Sequence, residues 1–299
     1  MKILITGGLG YIGSSLAIEL LQQGHYVSIV DNAVNHSLKE YDEAKRELFK
    51  YRQVEIIPVS IEHLSERLMI GMDLIIHLAA ITDIKTCEEE PIKCFHTNYE
   101  LTRLLITKMK NAGVKNLIFA STAAVYGLRT HCSEIYELHE SEQINNYGLS
   151  KYKAEKEVIK SGLNFKILRF SNVYGTGLVP KNNVIQIFKK QIMNNEKLTL
   201  HGSGTQYRDF IHLQDLISAI TLLMNPNNNE IKGVFNIGFG KSVTIKTVAN
   251  KLLNRQRGRI TYIPSDRSQT GVKKYDYDTE KINKLGWKPR ISLDNGLKI

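Results

Sequence analysis

Cysteine is scarce in this chain of 299 residues: Cys87, Cys94 and Cys132 are the only three, and none stands in a C-x-x-C pair. An odd count without that spacing argues against a disulfide framework or a structural zinc site and for reduced, structural thiols. Cys94 and His96 could be two ligands of a metal, but nothing nearby completes a four-ligand set, so no metal is expected. Apolar runs of the ~20 residues needed to span a bilayer are missing too. The N-terminus enters a strand-like run directly, without a signal-peptide cleavage pattern, so the expected location is the cytoplasm, with no membrane partner. Neither an internal repeat nor a low-complexity tail is present. Acids are outnumbered, 30 Asp and Glu against 40 Lys and Arg, for a formal net charge of +10. Such a balance can serve nucleic acid, an anionic membrane surface or an anionic small substrate. The cations are interspersed with acids, as from Lys39 to Lys50, which describes solvated helix faces and not a nucleic-acid-binding block.

What is present starts at the N-terminus. Lys2 to Thr6 reads as a strand, Gly7-Gly-Leu-Gly10-Tyr-Ile-Gly13 as a turn opening a helix to about Gln23, and Tyr26 to Val30 as a second strand closed by Asp31. A diphosphate needs backbone N–H groups brought close and a helix N-terminus pointed at it, and a Cβ at the turn would obstruct that approach. Asp31, about 20 residues after the turn, can accept hydrogen bonds from a ribose diol and would repel a 2′-phosphate, which favours NAD over NADP. The glycine spacing alone matches many chains; the strand–helix–strand context strengthens it against an α/β turn with no dinucleotide.

Short apolar strands then alternate with helices: Val54 to Val59, Asp73 to His77, Leu117 to Ser121 and Phe165 to Phe170. That alternation predicts an α/β fold, a Rossmann-type doubly wound parallel sheet. One crossover helix is expected from Ile92 to about Asn111, ended by Gly113, and another from about Tyr147 to Lys160. From about Val173 the texture turns Gly- and Asn-rich, with helices near 184–193, 214–224, 244–253 and 279–285, and Asn225 to Asn229 reads as an exposed turn. We therefore expect an NAD-binding domain over 1–172, with segments near 205–240 returning to it, and a smaller α/β substrate domain over 173–299.

Ligands of open parallel sheets lie beyond the carboxyl ends of the strands. Thr122 leaves the Leu117 strand there, and Tyr147-Gly-Leu-Ser-Lys151 opens the next helix with phenol and ammonium on one face. A cation so placed is expected to lower the tyrosine pKa toward that of a useful general base. The chain holds four Tyr-x-x-x-Lys segments, at Tyr41, Tyr147, Tyr152 and Tyr277. Only Tyr147 follows a strand ending in Ser/Thr and starts a helix within the nucleotide-binding half.

Motifs from end to end then carry a resemblance: Thr6-Gly-Gly-Leu-Gly-Tyr-Ile-Gly13, His77-Leu-Ala-Ala80, Thr97-Asn98, Ser121-Thr-Ala-Ala-Val-Tyr-Gly127, Tyr147-Gly-Leu-Ser-Lys151, Leu168-Arg-Phe-Ser-Asn-Val-Tyr-Gly175, Gly202-Ser-Gly-Thr-Gln-Tyr-Arg-Asp-Phe210, Asn236-Ile-Gly238 and Leu285-Gly-Trp287. The chain resembles the extended short-chain dehydrogenases/reductases of the NAD-dependent nucleotide-sugar epimerase/dehydratase family, most of all their UDP-glucose 4-epimerase branch. The resemblance implies NAD as cofactor and a UDP-sugar or other nucleotide-diphosphate sugar as substrate. It further implies a homodimer and catalytic roles for Thr122, Tyr147 and Lys151. Cofactor contacts carried over with it are Gly7, Gly10, Tyr11, Ile12, Gly13, Asp31, Asn32, Ser60, Ile61, Leu78, Ala79, Ala80, Asn98, Tyr147 and Lys151. Asn98 could equally be a structural cap. Thr122, Asn172, Arg208, Arg267 and Tyr275 match substrate contacts. Asn172 and Arg208 would grip the diphosphate, a task that suits a guanidinium fork, whereas a surface ion pair is the other reading of Arg208.

Three departures matter. Ser60 in Val59-Ser60-Ile61 stands where an Asp usually contacts adenine, and Ser268-Gln269-Thr270 follows Arg267 in place of Gly-Asp or Gly-Glu. Ala123-Ala124 occupies the place where sugar 4,6-dehydratases carry Asp-Glu, which removes the proton carriers for water elimination. The expected activity is 4-epimerisation of a nucleotide hexose, with UDP-glucose/UDP-galactose favoured because Tyr275 would crowd an N-acetyl group at C2. Other readings are a reductase, dehydratase or decarboxylase of the same family, or a non-catalytic NAD-sensing or nucleic-acid-binding protein on the same fold.

Overall fold

The computed structural model describes residues 1–34, 37–133, 145–225, 228, 230–253, 259–264 and 276–298. The chain runs through β1 (Lys2–Thr6), α1 (Tyr11–Gln22), β2 (Tyr26–Val30), α2 (Leu38–Leu48), β3 (Val54–Ile57) and β4 (Leu74–His77). Next come α3 (Ile84–Glu89), α4 (Pro91–Phe95), α5 (Leu101–Asn111), β5 (Asn116–Thr122), β6 (His131–Cys132), α6 (Asn146–Lys160) and β7 (Asn164–Phe170). The remainder is β8 (Asn172–Tyr174), α7 (Val184–Met193), β9 (Leu198–His201), β10 (Tyr207–His212), α8 (Leu213–Met224), β11 (Gly233–Ile237), β12 (Ser242–Thr244), α9 (Ile245–Leu253), β13 (Ile260–Ile263), β14 (Asp276–Tyr277), α10 (Glu280–Asn283) and α11 (Leu293–Gly296).

Seven strands form one parallel sheet in the order β11-β7-β5-β4-β1-β2-β3. The chain winds outward from β1 through β2 to β3, then crosses back so that β4 pairs with the other side of β1. That reversal opens a crevice at the carboxyl ends of β1 and β4, where an α/β sheet of this kind binds ligands. Alternate residues of the strands feed two cores: Ile3, Ile5 and Ile76 pack on the α1 and α8 face, while Leu4, Ile75 and Phe119 pack on the α5 and α6 face. Burial on both faces explains why the strands read as continuous apolar runs. The first core draws in Leu213, Leu216 and Leu223 of α8, and β11 completes the sheet beside β7. A third core joins Tyr174, Ile185, Phe188, Leu198, Leu200, Phe210 and Val248 around β9, β10, α7 and α9.

Two expected boundaries move. The third strand ends at Ile57 and not at Val59, because Pro58 has no N–H to give the ladder. The single helix expected from Ile92 to Asn111 is α4, a π-helical turn over His96–Glu100, and α5. The extra residue in that turn is the kind of local irregularity that often marks a functional site, and it carries the buried Asn98. Of the turn expected at Asn225 to Asn229, residues 226, 227 and 229 lie outside the described residues.

Candidate active site at the carboxyl ends of the strands

The glycine turn leaves β1 with Gly7 at φ +71, and its N–H bonds to Val30 O at 2.8 Å. A Cβ on Gly7 would stand 2.7 Å from Ala79 N, and one on Gly13 would stand 2.7 Å from Gly8 Cα, so both positions are closed by the protein's own backbone. Gly10 differs: a Cβ there would meet only Gly7 O, at 3.3 Å. It stands open at the start of α1, where first-turn N–H groups lack intrahelical acceptors. Asp31 accepts from Leu9 N at 3.0 Å and from Ala33 N at 2.9 Å, which ties the turn to the end of β2 while each oxygen retains acceptor capacity.

Other expected cofactor contacts resolve into backbone and side-chain roles. The Tyr11 hydroxyl donates to Gly175 O at 2.8 Å, so its side chain braces α1 against the segment after β8. Ile61 is buried in the core beneath α5, Ile12 and Asn32 are half-buried and exposed respectively, and the Ser60 hydroxyl meets His63 Nδ1 at 2.9 Å. Leu78, Ala79 and Ala80 follow β4 beside the glycine turn, with Leu78 N on Thr6 O at 3.0 Å. His77, fully buried, links Thr6 Oγ1 (2.6 Å) to Thr102 Oγ1 (2.9 Å). The Thr102 hydroxyl itself donates to Asn98 O at 2.8 Å, so Nε2 of His77 carries the proton and Nδ1 accepts. Burial, helped by the charge of Lys151, holds this imidazole neutral, with its pKa down at about 3.

Asn98 is a clamp and caps no helix. Its Oδ1 accepts from Ile81 N at 2.8 Å, and its Nδ2 donates to Ile81 O at 2.9 Å and to Ser150 Oγ at 3.1 Å. The amide thus fixes the loop after β4 to α6. Cys94, also buried, lies 3.6 Å from the same Ser150 hydroxyl. All three cysteines are free and buried, and no group of three metal-binding side chains gathers among the described residues.

Thr122 ends β5, and its hydroxyl accepts from Ala124 N at 3.1 Å. Helix α6 is capped by Asn145, whose Oδ1 accepts from Gly148 N at 2.8 Å, and Tyr147 in its first turn lies near enough to Thr122 for that hydroxyl to act on the phenol. Lys151, one turn on, is 2% exposed, and its ammonium lies 4.0 Å from the centre of the Phe119 ring. No hydrogen-bond acceptor or carboxylate pairs with it among the described residues. The electrostatics correct the sequence expectation. Burial pushes the Tyr147 phenol up to about 12 against the opposing influence of the nearby Thr122 hydroxyl, and burial pulls Lys151 down to about 7 against the pull of Glu155. Desolvation acts on both groups more strongly than the charge that one offers the other.

On the substrate side, Asn172 opens β8 and donates to Asp209 O at 3.0 Å, while Arg208 on the adjoining β10 donates to Tyr207 O at 2.7 Å. The pairing of Thr122 with Phe170 places Asn172 two residues beyond the strand end that faces Thr122. Arg267, Tyr275 and Ser268-Gln269-Thr270 lie outside the described residues. Two features escaped the sequence reading. Asp209 is fully buried and accepts from Phe239 N and Lys241 N, each at 2.8 Å, fixing the loop after β11. Arg169 is also buried and pairs through two nitrogens with Glu155, at 3.0 and 2.7 Å. A charge inside the apolar run Phe165 to Phe170 was the available signal, since a buried charge requires a partner.

The donor set fits a dinucleotide: an unobstructed Gly10 at a helix start, a carboxylate closing β2, and a buried ammonium that pairs with no carboxylate among the described residues. A model of the NAD dependent epimerase/dehydratase family matches residues 3–238. The chain is 30% identical to UDP-N-acetyl-alpha-D-glucosaminuronate decarboxylase of Bacillus cytotoxicus, over 99% of this chain and 95% of that protein. It is similar in structure to UDP-glucose 4-epimerase of Thermotoga maritima with UDP-glucose, at TM-score 0.83 and 30% identity, covering 100% of this chain and 96% of that one. UDP-glucuronic acid 4-epimerase of Bacillus cereus, in complex with UDP-glucuronic acid and NAD, superposes at TM-score 0.87 with 26% identity, covering 100% and 97% of the two chains.

Proposed function

Since the chain belongs to the NAD dependent epimerase/dehydratase family, with NAD as its cofactor, we propose that it inverts C4 of a nucleotide-diphosphate hexose, UDP-glucose/UDP-galactose, through a transient 4-keto sugar. The observation that carries this reading is the convergence at the carboxyl edge of the sheet of Thr122 and Tyr147, near enough for the threonine hydroxyl to act on the phenol's pKa, with Lys151 one helical turn away and Ala123 and Ala124 directly after Thr122. The alanines provide no acid or base for eliminating water, so a hydroxyl chemistry at C4 is what the group can perform.

Gly7, Gly10, Gly13, Asp31 and the start of α1 would hold NAD, which when bound supplies reversible hydride acceptance and a positive ring that favours phenolate. Tyr147, as phenolate, takes the proton of the 4-hydroxyl and later returns it. Thr122 donates to the same sugar oxygen and fixes its direction. Lys151 holds ribose hydroxyls and steadies the phenolate charge, a role for which a buried ammonium paired with no carboxylate among the described residues is suited. Asn172 and Arg208 grip the diphosphate, with Arg267 near its far end, while the small Ala123 and Ala124 leave space for the keto sugar to turn before reduction on its other face. Tyr275 sets the room at C2. In this scheme residues 173–299, apart from α8 and β11, carry the nucleotide sugar, two chains form a homodimer, and Asn98 places the loop beneath the nicotinamide side.

Incubation with UDP-galactose, UDP-glucose, UDP-glucuronate and UDP-N-acetylglucosamine, with products read by NMR, tests the proposal. Interconversion of the first two without exchange of the C4 hydrogen with solvent is expected, and Tyr147→Phe should abolish it. A pentose or a 6-deoxy-4-keto product, or full activity in Tyr147→Phe, would overturn it. Efficient turnover of UDP-N-acetylglucosamine would overturn the choice of sugar.

A further inference from the structure

Three residues on neighbouring strands stand in one transverse row at the carboxyl end of the sheet: Ser121 on β5 is the register partner of Arg169 on β7, which in turn is the partner of Asn236 on β11. All three are at most 3% exposed. Glu155, 1% exposed and one helical turn beyond Lys151, accepts from Ser121 Oγ and from Arg169 Nε (3.0 Å) and Nη2 (2.7 Å). The remaining Arg169 nitrogen donates to the Tyr126 hydroxyl at 3.0 Å, which donates to Asn236 Oδ1 at 2.7 Å. Asn236 Nδ2 then donates to Cys132 O at 2.9 Å and to Asp278 O at 2.8 Å, and the Tyr277 hydroxyl to Arg169 O at 2.6 Å. The network therefore runs from the strand that ends in Thr122, through the helix that carries Tyr147 and Lys151, to the β6–β14 pair.

Resting on the function proposed above, we infer that Glu155 and Arg169 are positioning residues: their buried two-pronged pair, seated on Ser121 and extended through Tyr126 and Asn236, holds α6 in register with Thr122 and with the β6–β14 pair. Stability alone is a poor reason to keep such a pair, since well-packed apolar groups of similar volume usually serve as well. Geometry is the better one. The fork admits a single orientation of the helix, and an error of about 1 Å in placing reacting groups can cost on the order of a hundredfold in rate. Glu155 acts on Lys151 in a second way, as the only carboxylate among the described residues that bears on it. The other titratable groups among the described residues that face that ammonium are the neutral His77 from β4 and the Cys94 thiol from α4, with Tyr147 one turn back on its own helix.

The test compares Glu155→Gln, Glu155→Asp, Arg169→Lys and the double variant Glu155→Gln/Arg169→Gln in the NAD-loaded protein. Measured for each are thermal unfolding, NAD content, kcat and KM for the UDP-hexose against pH, and labelling of Lys151 by an amine reagent against pH. We expect NAD content to stay near that of the wild type and kcat to fall about tenfold or more, with KM little changed. Glu155→Gln should also move the alkaline fall of kcat, and the titration of Lys151 labelling, to lower pH, while Glu155→Asp restores the titration without restoring kcat. Unchanged kcat and an unmoved titration beside a lower melting temperature would reduce the pair to a structural brace and overturn the inference. If Glu155→Gln does not fold because Arg169 is left unpaired, the double variant and Arg169→Lys are read in the same way. Tyr147→Phe separates the two readings: inactive Tyr147→Phe with normal Glu155→Gln defeats only the positioning role, and fully active Tyr147→Phe defeats the proposed function itself. The labelling experiment does not depend on turnover.

Discussion

Alanine at Gly10 and at Gly13 should fail in opposite ways. Gly10 has φ −75 and ψ 176, a backbone that any residue adopts, and a new methyl would press only on Gly7 O at 3.3 Å, which must yield by a few tenths of an ångström. Folding should change by no more than about 0.5 kcal/mol, in part because alanine restricts the unfolded chain. In the binding mode proposed above, that methyl would nevertheless stand where the diphosphate meets the start of α1. A loss of two or three close N–H contacts predicts NAD binding weaker by ten- to a hundredfold, about 1.4–2.7 kcal/mol. At Gly13 the methyl meets Gly8 Cα at 2.7 Å and Gly7 O closer still. Backbone cannot swing aside as a side chain does, so overpacking should cost about 1–3 kcal/mol or more, a melting temperature lower by roughly 2–4 °C per kcal/mol. Thermal unfolding in the absence of NAD, beside calorimetric titration with NAD, measures both quantities. Wild-type NAD affinity in Gly10→Ala, or equal losses of stability in the two variants, would refute the reasoning.

Lys151→Met should stabilise the fold while ending turnover. The ammonium titrates near 7 in the native state and near 10.5 when unfolded, so the unfolded chain binds more protons between those values. The penalty is complete below about pH 7 and fades as pH rises toward 10.5; urea unfolding at pH 6 and pH 10 should show a stabilisation of a few kcal/mol that shrinks. His77 contributes acid sensitivity: its pKa of about 3 lies below the ordinary 6.5, so stability is full above pH 6.5 and falls as pH drops toward 3. A His77→Gln variant should be less stable at pH 7 yet flatter between pH 6.5 and 4, and an equally steep acid slope would count against this account. Asp31→Ala removes acceptors from Leu9 N and Ala33 N, predicting a loss of about 1–2 kcal/mol together with weaker NAD binding; a change in binding without one in melting temperature would show that the tether is dispensable.

Much of the architecture was legible because it is written in neighbours. The glycines from 7 to 13, the acid at the end of the next strand and the alternation of apolar runs with helices depend on spacings of a few residues, and each has a local steric or electrostatic cause. Thr122 and Tyr147 were legible for the same reason, one at a strand end and the other at a helix start. The break in the 92–111 helix was not, because a π-helical turn is held by what Asn98 meets, namely Ile81 and Ser150, and those partners are distant in sequence. Arg169 stood in the motif from Leu168 to Gly175 and Glu155 four residues past Lys151, but a helix of solvated lysines and glutamates surrounds the latter, and its burial becomes visible only when β5 and β7 bring Ser121 and Arg169 beneath it. The direction of the Tyr147 shift was misread on the same account: sequence spacing shows which charge can lie near, while the cost of leaving water belongs to the packed interior. Short-range order in the chain thus sufficed for the fold class and the glycine turn, and it was enough to propose the Thr122–Tyr147–Lys151 group. Which polar groups are buried, whom they pair with and how far their protons are displaced came from tertiary contact alone, because desolvation and cross-strand register depend on residues that the chain brings together only by folding.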